Sequence, residues 1–159
     1  MAHILIVCTA NVCRSPVAAA LIQDRLQKNG RANWTVSSAG TWAQVSRGAA
    51  RNSIEIMRAN GYDITNHQAQ MIMEAHLRQA DLILCMEVGH VEALQIEFPD
   101  QAHKVHLITD MIDRPYGVSD PYGGPMYAYE TMYNDLVEII DGGIAQIITL
   151  AEENAAVRE

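Results

Sequence analysis

Basic residues are scarce: Lys and Arg number 11 against 19 Asp and Glu, a formal net charge of −8 over 159 residues. That deficit argues against non-specific nucleic-acid binding and against docking on an anionic membrane, both of which need spread-out positive surface. Any anion must be held by a local arrangement that works against the global field. No apolar run reaches the roughly 18 residues of a membrane span. The start, MAHILIVC, has no basic segment before an apolar run of strand length, so the expected location is the cytoplasm. Cysteines number three, Cys8, Cys13 and Cys85. An odd number without a secretory signal predicts reduced thiols rather than a disulfide framework. They also lack the paired Cys-x-x-Cys spacing of a structural zinc site, so no metal or other cofactor is expected. Repeats and low-complexity tracts are absent, and the length suits one core, a single domain over 1–159.

What is present is an alternation of strand and helix signals. HILIVC (3–8) is a short β-rich run of the kind buried on both faces. From Ser15 to Gln27, Val17, Leu21, Ile22 and Leu26 fall at helical spacing, with Pro16 in the first turn and Gly30 beyond the end. A strand is predicted over 33–40, a helix over 48–59, a strand over 80–86, a helix over 87–97 and a strand over 104–108. Residues 109–125, rich in Pro, Gly, Asp and Tyr, read as a long loop, and loops of that length in a compact domain are more often functional than idle. The remainder is helical, with Gly142 and Gly143 expected to weaken or bend it. The fold class is α/β: a small, mostly parallel sheet with helices.

In such folds ligands sit at the carboxyl ends of the strands. There the sequence reads VCTANVCRSPVAAAL (7–21). Cys8 ends the first strand and Ser15 opens the first helix. Thr9, Ala10, Asn11, Val12 and Cys13 can wrap so that successive backbone N–H groups converge as a nest for a tetrahedral oxyanion. The helix N-terminus adds partial positive charge, and Arg14 adds a planar fork able to grip two phosphoryl oxygens. Both features favour thiolate over thiol at the base of the cradle. The bland alternative, a packed thiol beside a solvated arginine, does not account for this placement.

These residues resemble the low-molecular-weight protein tyrosine phosphatase family. VCTANVCRSP matches its C-x-G-N-x-C-R-S-P signature at all fixed positions but one, where Ala10 replaces Gly. SSAGT (37–41), NHQAQ (66–70), DLILCME (81–87) and DPYG (120–123) follow in family order. The resemblance implies a four-stranded parallel sheet flanked by helices on both faces, no metal, and phosphotyrosine proteins or small aryl phosphates as substrates. Inorganic phosphate and other tetrahedral oxyanions would bind as product or inhibitor.

By resemblance and by chemistry, Cys8 is the nucleophile that forms a phosphocysteine, and Arg14 stabilises the transferring group. The family's general acid is the Asp of its D-P-Y motif, here Asp120, with Asp110 and Asp113 as competitors in the same loop. Ser15 can donate to the Cys8 sulfur or cap the helix. Asn11 tolerates left-handed dihedrals, and the resemblance makes Ser38 and His67 its supporting partners. Trp42 and Tyr122 are expected as aromatic walls of the crevice, core packing being the alternative for Trp42. Cys13 can pair with Cys8 under peroxide, sheltering it from irreversible oxidation. Cys85 is expected in the core, and Tyr127, Tyr129 and Tyr133 as partly packed surface.

Two rival readings share the cradle. A thioredoxin-coupled arsenate reductase needs further relay thiols, and no cysteine follows Cys85. A non-catalytic phosphate-binding module needs neither thiol nor acid. Two departures from the family bear on the site. Ala10 would strain the loop if its φ were positive, and Gln70 stands where many members carry Arg.

Overall fold

The computed structural model describes residues 1–158. In chain order its elements are β1 (His3–Cys8), α1 (Arg14–Lys28), β2 (Thr35–Gly40), α2 (Arg51–Ala59), α3 (Glu74–Gln79), β3 (Leu82–Cys85), α4 (Val88–Glu97), β4 (Val105–Leu107) and α5 (Met126–Arg158). Two 3₁₀ turns, Pro99–Lys104 and Ile108–Ile112, flank β4.

The strands form one parallel sheet in the order β2-β1-β3-β4. Side chains alternate between its faces. Ile4, Ile6, Cys8, Leu82 and Leu84 join a core completed by Leu21 of α1, Met57 of α2 and Ile139 of α5. Leu5, Val7, Ile83 and Cys85 meet Leu77 of α3 and Leu94 of α4 on the other face. Covering both faces is why the strands read as unbroken apolar runs rather than alternating ones. The chain passes from β1 to β2 on one side, then returns to β3 on the other. This puts the switch point of the sheet, and the crevice that accompanies it, at the carboxyl end of β1.

Element ends differ from the expected bounds. β2 starts at Thr35 and β3 spans only Leu82–Cys85, because pairing with β1 rather than apolarity limits a strand. α3 arises where no element was expected; six residues with one buried side chain, Leu77, carry no periodic signal. The predicted loop 109–125 begins later than expected. Its first residues belong to the 3₁₀ turn Ile108–Ile112, where the Asp110 carboxylate accepts the Leu107 N–H at 3.3 Å.

Gly142 and Gly143 do not bend α5, which continues unbroken to Arg158. Gly143 instead lets the helix approach the 3₁₀ turn: a Cβ there would lie 2.6 Å from the Cβ of Met111. Gly143→Ala should therefore lower stability by about 1–2 kcal/mol, overpacking outweighing the gain in helix propensity. Gly142→Ala, whose Cβ would meet only Ile112 Cγ2 at 3.1 Å, should be near neutral. Denaturant midpoints of the two variants, at unchanged slope, make the comparison.

Candidate active site

Residues 8–15 form a cradle between β1 and α1. Asn11 adopts φ 59°, the left-handed bend that turns the loop back on itself. Ala10 is not among the residues with positive φ, so its methyl carries no such strain. Gly40, level with Cys8 on β2, is required by the close approach of the loop: a Cβ there would fall 2.5 Å from the Thr9 carbonyl oxygen.

The Cys8 sulfur accepts the Asn11 N–H at 3.3 Å and lies 2.9 Å from Ser15 Oγ. The direction of the second bond follows from its neighbours. Gln70 N–H, which can only donate, meets Asn11 Oδ1 at 3.0 Å. That orients the amide so that Asn11 Nδ2 donates to Ser15 Oγ at 2.7 Å and to Ser38 Oγ at 2.9 Å. With its oxygen accepting from Asn11, Ser15 turns its own proton toward sulfur. Ser15 is not a helix cap: α1 begins at Arg14 and has no side-chain cap bond.

His67 closes the support from behind, its Nε2–H donating to the Asn11 carbonyl at 2.6 Å. Burial lowers its pKa, against an opposing contribution from that bond. Gln70, far from leaving a gap, also donates through Nε2 to the Ser38 carbonyl at 2.9 Å. α2 and the residue before it secure the outer part of the cradle, through Ala50 N–H to the Val12 carbonyl at 2.8 Å and Ser53 Oγ–H to the Cys13 carbonyl at 3.1 Å.

Arg14 is 1 % exposed. Its Nη1–H donates to the Val118 carbonyl at 2.8 Å, and carboxylates stand 3.4 Å away at Glu87 and 3.5 Å away at Asp120. Its Nε is buried without a partner, a donor that a phosphoryl oxygen in the cradle would satisfy. Glu87 also faces His90 at 3.4 Å. The Glu87 N–H donates to His90 Nδ1 at 3.2 Å, so the ring proton sits on Nε2, 2.9 Å from Thr9 Oγ1. Burial lowers the His90 pKa and Arg14 adds to the effect, while Glu87 opposes it.

Above the sulfur opens a cavity of about 260 Å³ lined by Cys8, Ala10, Val12, Arg14, Asp120 and Tyr122 among others. Asp120 Oδ1 accepts the Tyr122 N–H at 3.1 Å, which holds the carboxylate at the rim. Neither Asp110 nor Asp113 lines the cavity. Nor does Trp42, which is 80 % exposed and borders an adjoining depression with Ala10, Arg47 and Met71. It is thus neither a wall of this cavity nor core. The wall partner of Tyr122 is Arg47, its guanidinium 5.5 Å from the ring centroid and 3.3 Å from the hydroxyl.

Cys13 also lines the cavity. Its thiol lies 3.6 Å from Tyr129 Oη, and burial pushes its pKa up. Tyr129 is buried rather than surface. Cys85 is buried on the opposite face of the sheet from Cys8, and desolvation raises its pKa strongly. The three thiols are free. Among the described residues no cluster of His, Cys, Asp or Glu is placed to hold a metal ion, and no helix is long and apolar enough to cross a membrane.

Sequence reasoning missed Glu87, His90, Arg47 and the Val118 carbonyl. Glu87 stood within the DLILCME segment, but nothing local indicated that it faces Arg14. For Arg47 no sequence signal was available.

A sulfur-floored anion cradle at the switch point of a parallel sheet is suited to a tetrahedral oxyanion, and the comparisons with known proteins place the protein among the protein phosphatases, a class of hydrolases. Residues 3–154 match the family described as low molecular weight phosphotyrosine protein phosphatase, and the chain belongs to that family. It is 38 % identical over 130 residues to the low molecular weight protein-tyrosine-phosphatase Wzb of Salmonella typhi, covering 82 % of this chain and 83 % of that one. It is 31 % identical over 140 residues to a protein-arginine-phosphatase of Geobacillus stearothermophilus, covering 87 % and 91 %. The crystal structure of the low molecular weight protein tyrosine phosphatase from T. tengcongensis superposes with a TM-score of 0.87 at 32 % identity, covering 92 % of this chain and 99 % of that one.

Proposed function

We propose that the protein hydrolyses phosphotyrosine in proteins through a phosphocysteine intermediate, within the cytoplasm. The observation that carries the reading is the Cys8 sulfur, accepting hydrogen bonds from Asn11 and Ser15 beneath a buried Arg14 with one unpartnered donor. The thiolate attacks phosphorus and the P–O bond to the tyrosyl oxygen breaks. Asp120 gives that oxygen a proton as it leaves, and Arg14 with the loop amides holds the equatorial oxygens. Water, giving its proton to the same carboxylate, then attacks phosphorus and releases phosphate and the thiolate. Ser15 stabilises the sulfur as it departs. Asn11, Ser38, His67 and Gln70 keep the cradle in shape. Cys13, on the same cavity wall, would form a disulfide with an oxidised Cys8.

Two relatives of this chain are named for different phosphoresidues, tyrosine and arginine. The lining favours tyrosine here. Ala10, Val12 and the Tyr122 ring offer an aryl group apolar contact, whereas a phosphoarginine side chain would bring a cation up against Arg47. The arsenate reductase reading loses support because Cys85 lies across the sheet, and a binding module has no use for a solvent-facing acid above a thiol.

The test pairs substrates and leaving groups. Phosphotyrosyl peptides should be turned over at least about ten times more efficiently than matched phosphoarginyl peptides. Asp120→Ala should slow phenyl phosphate by about 10²–10⁴-fold, and far less an aryl ester whose leaving group departs unprotonated. Equal losses on both esters would remove Asp120 as the acid, and a phosphoarginine preference would reverse the substrate assignment.

A further inference from the structure

Among the described residues Arg47 and Arg58 are the two arginines of this acidic chain without a carboxylate in salt-bridge distance, and of these only Arg47 lines the cavity. Arg25, Arg31, Arg51, Arg78, Arg114 and Arg158 each have a carboxylate within salt-bridge distance. Among the described residues none pairs with Arg47, although the chain carries 19 acidic side chains. Its backbone is nevertheless fixed. Ser46, directly before it, adopts φ 69°, a left-handed conformation uncommon for serine. That bend is held by Ser46 N–H to the Ala69 carbonyl at 2.8 Å and Ala69 N–H to the Arg47 carbonyl at 2.7 Å. The side chain is exposed yet ordered across the cavity mouth by the Tyr122 ring and hydroxyl. Of the charged residues lining the cavity, Arg14 is buried and Asp120 is paired with it at 3.5 Å. Arg47 is therefore the cation that solvent, and a polypeptide entering the cavity, meets first.

One edge of a guanidinium bonded to Tyr122 leaves its remaining N–H groups directed outward, in the fork geometry that matches a carboxylate. Stacking on the ring orders the side chain before binding, so less rotamer freedom is lost on pairing. Elsewhere the net charge of −8 repels an acidic segment, so selection for one must come from a cation at the mouth. We propose that Arg47, clamped by Tyr122, selects phosphotyrosine segments carrying acidic residues beside the phosphotyrosine and disfavours basic ones. This rests on the phosphotyrosine reading and goes beyond it by naming the class of segment recognised.

The experiment uses three phosphotyrosyl peptides that differ only in flanking residues: acidic, neutral or basic. The full chain should hydrolyse the acidic peptide with a kcat/KM about tenfold above the basic one at low salt. Raising salt from 0.1 to 1 M shortens the screening length from about 10 Å to about 3 Å and should compress the ratio severalfold. Arg47→Met should reduce it to about twofold or less, and Arg47→Glu should invert it. Lys28→Met removes the same charge at the far end of α1, about 20 Å from the cradle, and should keep the ratio. A ratio near one in the wild-type chain, or one that survives Arg47→Met, overturns the proposal. So does equal loss with Lys28→Met, which would reduce the effect to net charge. Equilibrium binding of the same peptides to Cys8→Ala separates this proposal from the catalytic reading. An acidic preference there that depends on Arg47 supports the recognition site even if turnover of aryl phosphates fails, and its absence overturns the site even if turnover succeeds.

Discussion

Replacing Cys8 with serine is expected to lower kcat for aryl phosphate hydrolysis by at least about 10⁴-fold, the scale of losing a covalent nucleophile. The two donors on Cys8, Asn11 N–H at 3.3 Å and Ser15 Oγ–H at 2.9 Å, are arranged for a sulfur anion. An alcohol in that place is a far weaker nucleophile than a thiolate, since no base stands beside it: Ser15 already donates toward it, and Asp120 is at the rim. The rest of the cradle is untouched, so affinity for inorganic phosphate should change by only a few fold. In the wild-type chain, rapid-mixing kinetics should show a burst of phenol, with phosphate trapped on Cys8 by acid quench. A variant that retains a hundredth or more of wild-type turnover would show that Cys8 is not the nucleophile.

Arg14→Lys is the second large effect, with an expected loss of about 10³-fold in kcat, within the range of removing an arginine that stabilises a transferring phosphoryl group. Lysine keeps the charge but loses the planar fork. In this structure the fork is divided: Nη1 is engaged by the Val118 carbonyl at 2.8 Å, and Nε is buried without a partner. A phosphoryl group would take up Nε and compete for Nη2 with the Glu87 and Asp120 carboxylates 3.5 Å from it, while Nη1 holds the guanidinium in place. An ammonium cannot serve both purposes. Inhibition by inorganic phosphate should weaken in parallel. Because Glu87 and Asp120 would face a displaced charge, the denaturation midpoint should also fall, and catalysis is to be compared under conditions where the variant is fully folded. A loss below tenfold would mean that positive charge alone suffices and that the bidentate geometry is not used.

Much of the site was legible because its main part is local. Eight consecutive residues carry the strand end, the converging amides, the helix start, the thiol and the guanidinium, and their mutual placement follows from backbone geometry over a few residues. Asn11 was read as suited to left-handed dihedrals and has φ 59°. The resemblance pointed to Ser38 and His67, which stand 2.9 Å from Asn11 Nδ2 and 2.6 Å from the Asn11 carbonyl. Trp42 was not legible in this way. Its ring has apolar character that suits a crevice wall, a core or an exposed surface equally, and only packing distinguishes them.

The sequence by itself determined the alternation of buried strands and amphipathic helices and the wrapped segment between β1 and α1, whereas Asp120 was singled out from Asp110 and Asp113 only by the family resemblance. The first two rest on periodicity or on residues close together in the chain. Tertiary structure alone decided that Glu87 and the Val118 carbonyl brace Arg14, that Arg47 rather than Trp42 faces Tyr122, and that Gly143 admits Met111 instead of bending α5. Those contacts join residues about 30 to 100 positions apart, and no spacing rule encodes them. They arise when the sheet order and the packing of both its faces bring distant side chains to one place.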